Sequence, residues 1–183
     1  MQKLDFTKIH DHFAGVSKEI FDESGSVSPI LFALQIAPTE SGEMTIERGS
    51  ILNGETFEQM FSGEDGKRNM MKFIRDVIDN TTELHQHFIK TMEINVNAVV
   101  QISEAWVGTA KPDAASVTPP SEDPNRGEAV IIAIHNQWCK TIVGVHNVVE
   151  QPKRHLQLNS LSDTAVVSGS LVNNPNASPF GPH

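Results

Sequence analysis

The chain of 183 residues has one cysteine, Cys139. A lone thiol forms no internal disulfide, and no CxxC pair or Cys/His zinc spacing occurs, which fits a reducing compartment. Its neighbours Trp138 and Lys140 suit a turn or strand end, and reactivity at Cys139 would need a charge partner that the sequence does not show. Bases are also scarce, with Lys plus Arg numbering 14 against 23 Asp plus Glu. Non-specific nucleic-acid binding rests on clustered cations that neutralise phosphates, so this balance disfavours it. The one basic cluster is Lys153, Arg154 and His155. No apolar run approaches the roughly 20 residues of a membrane span, and "MQKLDFTKIHDHF" lacks the apolar stretch of a signal peptide. These absences predict a soluble, cytoplasmic protein without membrane contact. Catalytic templates are missing as well: no Walker or dinucleotide glycine loop, no HExxH and no GxSxG. "SGEDGK" has the wrong glycine spacing and no strand leading into it, and the acidic turns "DESGS" and "SGEDG" lack the twelve-residue ligand series of an EF-hand. No cofactor is expected.

Periodicity supplies the architecture. Phe6, Ile9, Phe13, Val16 and Ile20 recur at helical spacing, with Asp5 placed to cap the helix. "ILFALQIA", the turn "TESG" and the alternating "EMTIER" predict a β-hairpin over residues 30 to 48. From Lys67 to Phe88 the apolar spacing of Met70, Phe73, Ile74, Val77, Thr81, Leu84 and Phe88 predicts a single long helix. The period then changes to two, with Ile94, Val96, Ala98, Val100 and Ile102 on one side of a strand. A long proline-rich connection follows, over residues 108 to 125. Residues 128–136 and 140–149 read as an antiparallel pair joined near "NQWCK", the first apolar on both faces and so interior. A weaker strand is expected within "TAVVSGSLV". The expected fold is α+β: a mostly antiparallel sheet of about five strands with two main helices packed on one face, one domain over residues 1–172, then a flexible tail over residues 173–183. Two helices cover one face of an interior strand, so self-association is expected to cover the other.

Histidines come in pairs, His10 with His12 and His85 with His87. Residues two apart on a helix point about 200° from each other, whereas shared metal ligation needs spacing of three or four. No metal site is expected. His135 and His146 lie on neighbouring strands, and a polar sheet face or interface is the plainer reading of the two, with proton transfer the sharper one.

Glu104 is more informative, because counting by twos from Ile94 places it on the apolar side, between Ile102 and Trp106. A carboxylate there is costly unless paired. Three arrangements relieve it: a β-bulge that turns it outward, a wet strand end, or a base that meets it. Arg126 is the first base on the returning chain, and its forked guanidinium suits a carboxylate. "SEDPNR" before the strand suits a rigid lead into it, with Ser121, Asp123 and Asn125 serving loop backbone groups, and would equally suit a ligand loop.

"SEAWVG" followed by "PPSEDPNRGEAVII" resembles a motif pair in a group of bacterial and phage proteins without an established activity. The pair is a strand ending in Glu-Ala-Trp and a second begun through Pro-Ser-x-x-Pro-x-Arg. The resemblance covers residues 94 to 150, through Glu104, Ala105, Trp106, Pro120, Ser121, Pro124 and Arg126. It implies a hairpin at these residues and a phage or prophage origin, and it names no reaction.

The leading expectation is a non-enzymatic assembly or binding module, a homo-oligomer or a partner of another protein. The alternative is a small hydrolase or ligand-binding enzyme with Glu104 as acid or base, Arg126 on an anion and His135 or His146 carrying a proton. A nucleic-acid factor working through Lys153 and Arg154 is the third. The candidate site comprises Glu104, Trp106, Ser121, Arg126, His135 and His146.

Overall fold

The computed structural model describes residues 4–52, 65–107, 126–139 and 141–161. In chain order the elements are α1 (Thr7–Ser24), β1 (Ile30–Pro38), β2 (Met44–Leu52), α2 (Gly66–Ile78), α3 (Glu83–Met92), β3 (Ala98–Val107), β4 (Gly127–Asn136), β5 (Ile142–Val149) and β6 (His155–Gln157). The fold is α+β, and the six described strands have the order β2-β1-β3-β4-β5-β6. The pairs β1–β2 and β5–β6 are antiparallel. By contacts the chain divides into two compact units interleaved in sequence. The first comprises Met1–His12, Ile30–Gln101 and Ala133–Ile142; the second comprises Phe13–Pro29, Ile102–Ile132 and Val143–His183. Among the described residues no helix is long and apolar enough to cross a membrane.

α1 begins as its sequence predicts, with Thr7 N–H donating to Asp5 Oδ1 at 2.9 Å. Its buried stripe departs from the expected one, since Ser17 and Phe21 are buried while Val16 and Ile20 are only half-buried. Ser17 tolerates this because its hydroxyl donates to the Phe13 carbonyl at 2.7 Å. The helix ends at Gly25, whose φ of 73° lies in the left-handed region and whose N–H donates to the Phe21 carbonyl.

In the first unit, β1 and β2 pair from Leu31↔Leu52 to Pro38↔Met44, with a bulge that leaves Glu47 without a cross-strand partner. Gly49 lies opposite Leu34, and an added Cβ there would stand 2.8 Å from Leu34 Cδ2. Asn97 serves β1 like a strand neighbour: its side-chain amide accepts from Ile36 N–H at 2.8 Å and donates to Ile36 O at 2.9 Å. The expected single helix over residues 67 to 88 is two helices, α2 and α3. Apolar spacing persists across the break, but "DNTT" competes for the backbone. Asp79 is extended at ψ 109°, its Oδ1 accepting from both the N–H and the hydroxyl of Thr81. Thr82 caps α3 by accepting from His85 N–H at 3.1 Å.

β3 also departs from expectation. Ala98 to Ser103 are all buried, so its first six residues do not alternate between an apolar and a wet face. That is the pattern of a strand covered on both faces, and β3 is interior to the strand order. β4, expected to be interior, is so placed. β6 was not legible beforehand, being three residues beside a basic cluster. The strand expected within "TAVVSGSLV", the proline-rich connection and the tail lie outside the described residues.

Candidate functional site

Glu104, Trp106, Arg126 and His146 belong to the second unit, and His135 to the first. Ser121 lies outside the described residues. Glu104 is half-buried near the end of β3, and its Oε1 accepts from Val27 N–H at 2.6 Å. Local sequence prepares this contact. Gly25 stops α1 and reverses the chain, and Val27, 2% exposed, is anchored by its apolar side chain. The Val27 N–H meets the carboxylate in a charge-assisted bond of the kind that makes a partly buried acid tolerable.

The charge of Glu104 is among those that act on Arg154. One amino group of Arg154 donates to the Gly25 carbonyl at 2.8 Å, the other to Glu128 Oε2, and Nε donates to Glu150 Oε1 at 3.2 Å. The guanidinium carbon stands 5.2 Å from the centroid of the Phe21 ring. Glu128, through its hydrogen bond, raises the pKa of Arg154 above its ordinary value; burial works against this, and the charges of Glu128, Glu150 and Glu104 add to it. Arg154 therefore joins the end of α1, the start of β4 and the turn before β6. Arg126 lies instead over Trp106, its guanidinium carbon 4.4 Å from the ring centroid, an arrangement in which the cation meets the negative face of the indole.

His146 is fully buried, and its Nδ1 accepts from Asn159 N–H at 3.1 Å. That nitrogen therefore carries no proton. The Asn159 amide donates in turn to the Val145 carbonyl at 2.8 Å, so the imidazole ties the chain beyond β6 to β5. In the first unit His135 is 5% exposed, and its Nδ1 lies 3.1 Å from Thr141 Oγ1. Burial pushes its pKa down to about 4. It lines an open cleft of ≈ 430 Å³ formed with the C-terminal half of α2 and the β4–β5 turn.

One histidine of each helical pair is buried, His10 and His85, and its companion is exposed. His85 is held in place, Nδ1 donating to the Val77 carbonyl at 2.8 Å and Nε2 lying 3.0 Å from Asn95 Oδ1. Among the described residues no group of three or more His, Cys, Asp or Glu is placed to hold a metal ion. Cys139 is exposed, its N–H donating to Asn136 Oδ1 in the β4–β5 turn.

Sequence reading missed Val27, Glu128, Glu150 and Asn159 as partners, and it placed Arg154 only in a basic cluster. One signal was available: Glu150 and Arg154 stand four apart around Pro152, opposite charges framing a turn. No protein-family model, curated protein or solved structure matches the chain.

Proposed function

We propose that this chain is a non-enzymatic assembly module that pairs with a second copy of itself through β2. The carrying observation is the placement of two exposed isoleucines, Ile46 at 38% and Ile51 at 53%, on the strand that ends the described sheet order. They stand five positions apart, which would put them on opposite faces of a regular strand. The bulge at Glu47 removes one residue from that count. Ile46 lies opposite Ile36 and Ile51 opposite Phe32, and since Phe32 and Ile36 share a face of β1, both isoleucines project from one face.

A two-fold antiparallel contact suits this strip. It sets Ile46 against Ile51 of the partner subunit, so the apolar residues of the strip are self-complementary. The bulge and the charges also resist open-ended strand addition, which favours a closed dimer. The other end of the described sheet, β6, has three residues and offers little to pair with. In the rival reading, a hydrolase using Glu104 and Arg126, Glu104 already accepts from Val27 N–H and Arg126 lies over Trp106. Sedimentation velocity over a range of concentrations tests the proposal. The expected result is a monomer–dimer equilibrium that the double substitution Ile46→Lys, Ile51→Lys shifts to monomer with an unchanged circular dichroism spectrum; a monomer throughout for the unsubstituted chain rejects it.

A further inference from the structure

The cleft of the first unit combines features that the proposed assembly does not use. Its apolar wall includes Ile74 and Ile78 of α2, and its mouth carries Arg75 and Asp79. These two charges stand four residues apart at the end of the helix and are exposed; among the described residues they form no ion pair with each other. The Arg75 side chain has no hydrogen-bond or ion-pair partner among those residues. Asp79 Oδ1 is occupied by Thr81, which holds the carboxyl below its ordinary pKa and leaves the second oxygen for a further donor. His135 also lines the cleft, and its buried Nε2 has no hydrogen-bond partner among the described residues. An unpaired buried nitrogen is a standing cost that a ligand group would remove.

We infer that this cleft binds a small zwitterion of the amino-acid class, with Arg75 taking the carboxylate, Asp79 the ammonium and His135 an uncharged polar group of the ligand side chain. Two opposite charges at one mouth select against ligands of a single charge, because each such ligand gains one attraction and meets one repulsion. The apolar wall of Ile74 and Ile78 suits the methylenes between the charged end and the polar end. The neutral imidazole suits an amide or hydroxyl rather than a second charge, since a buried ion would need its own counter-charge. The cleft volume lies within the range of small-molecule sites, about 300–1,000 Å³.

Titration of the full chain with L-glutamine, propionate and propylamine, followed by calorimetry and by amide chemical shifts, decides the inference. Glutamine is expected to bind at least about tenfold more tightly than either single-charge probe, a difference of about 1.4 kcal/mol. It is also expected to move the His135 and Thr141 amides. Arg75→Gln and Asp79→Asn, both at exposed positions, are each expected to weaken glutamine about tenfold. Propionate binding as tightly as glutamine, variants that titrate like the parent chain, or unmoved amides at saturating glutamine would each overturn it. The same titration on the Ile46→Lys, Ile51→Lys chain is expected to be unchanged, so a failure of the assembly proposal leaves this result readable.

Discussion

Arg154 and Arg75 make a useful pair, because both are arginines near the end of an element and they are used in opposite ways. In the second unit Arg154 is held by the scaffold, touching the Gly25 carbonyl, Glu128, Glu150 and the face of Phe21. In the first unit Arg75 stands at a cleft mouth with no side-chain partner among the described residues. A guanidinium whose donors are met by scaffold groups fixes geometry and recognises nothing further. One whose donors are open is available for recognition. The same contrast separates Glu104, committed to Val27 N–H, from His135, whose Nε2 is unmet. Polar and charged residues near the ends of elements thus divide by what already surrounds them rather than by residue type.

The largest effect expected from this contrast is at His135. Its pKa is pushed from 6.5 to about 4 by burial, so the unfolded chain binds a proton more readily than the folded one between those values. The contribution is fully present above pH 6.5 and is lost as pH falls toward 4, on the order of 3 kcal/mol in total. Urea unfolding at pH 7 and at pH 4.5 is expected to show a loss of stability that shrinks in His135→Gln; an equal loss in both chains breaks the assignment. Next is Arg154→Ala, expected to cost about 1–3 kcal/mol at pH 7, the range for charge-assisted hydrogen bonds discounted for its partial exposure. Arg154→Lys should recover only part, because an ammonium does not reproduce the fork. Arg126→Ala is expected to cost least, about 0.5–1 kcal/mol, as an exposed cation over an aromatic face. Equal costs for Arg126 and Arg154 would erase the distinction between them.

Much of the fold was legible in the sequence because periodicity reports burial directly. α1, the hairpin and the β4–β5 pair follow from it, as does the change from period 3.6 to period 2 before β3. What was not legible depended on competition or on register. The break between α2 and α3 arises where Asp79 and Thr82 outcompete the helix for backbone groups, although the apolar spacing continues. Ser17 and His85 occupy buried positions where an apolar residue would be expected, each satisfied by a backbone carbonyl that spacing alone does not reveal. Of the candidate site, the alternation from Ile94 that singled out Glu104 does not hold in β3, whose first six residues are all buried, and the Val27 N–H that meets Glu104 lies 77 positions earlier in the chain, where sequence spacing gave no reason to look. The cleft was invisible for a related reason: Arg75, Asp79 and His135 are brought together only by the ends of α2 and β4.

The central claim is that Glu104 is a scaffold residue, holding the chain after α1 through Val27 N–H. Amide hydrogen exchange at Val27 tests this most directly, measured in the parent chain and in Glu104→Ala under conditions where both remain folded. The account predicts exchange at Val27 faster by about tenfold or more in Glu104→Ala, as expected for loss of one charge-assisted hydrogen bond, with amides of the first unit unchanged. Equal exchange rates at Val27 in the two chains would contradict it.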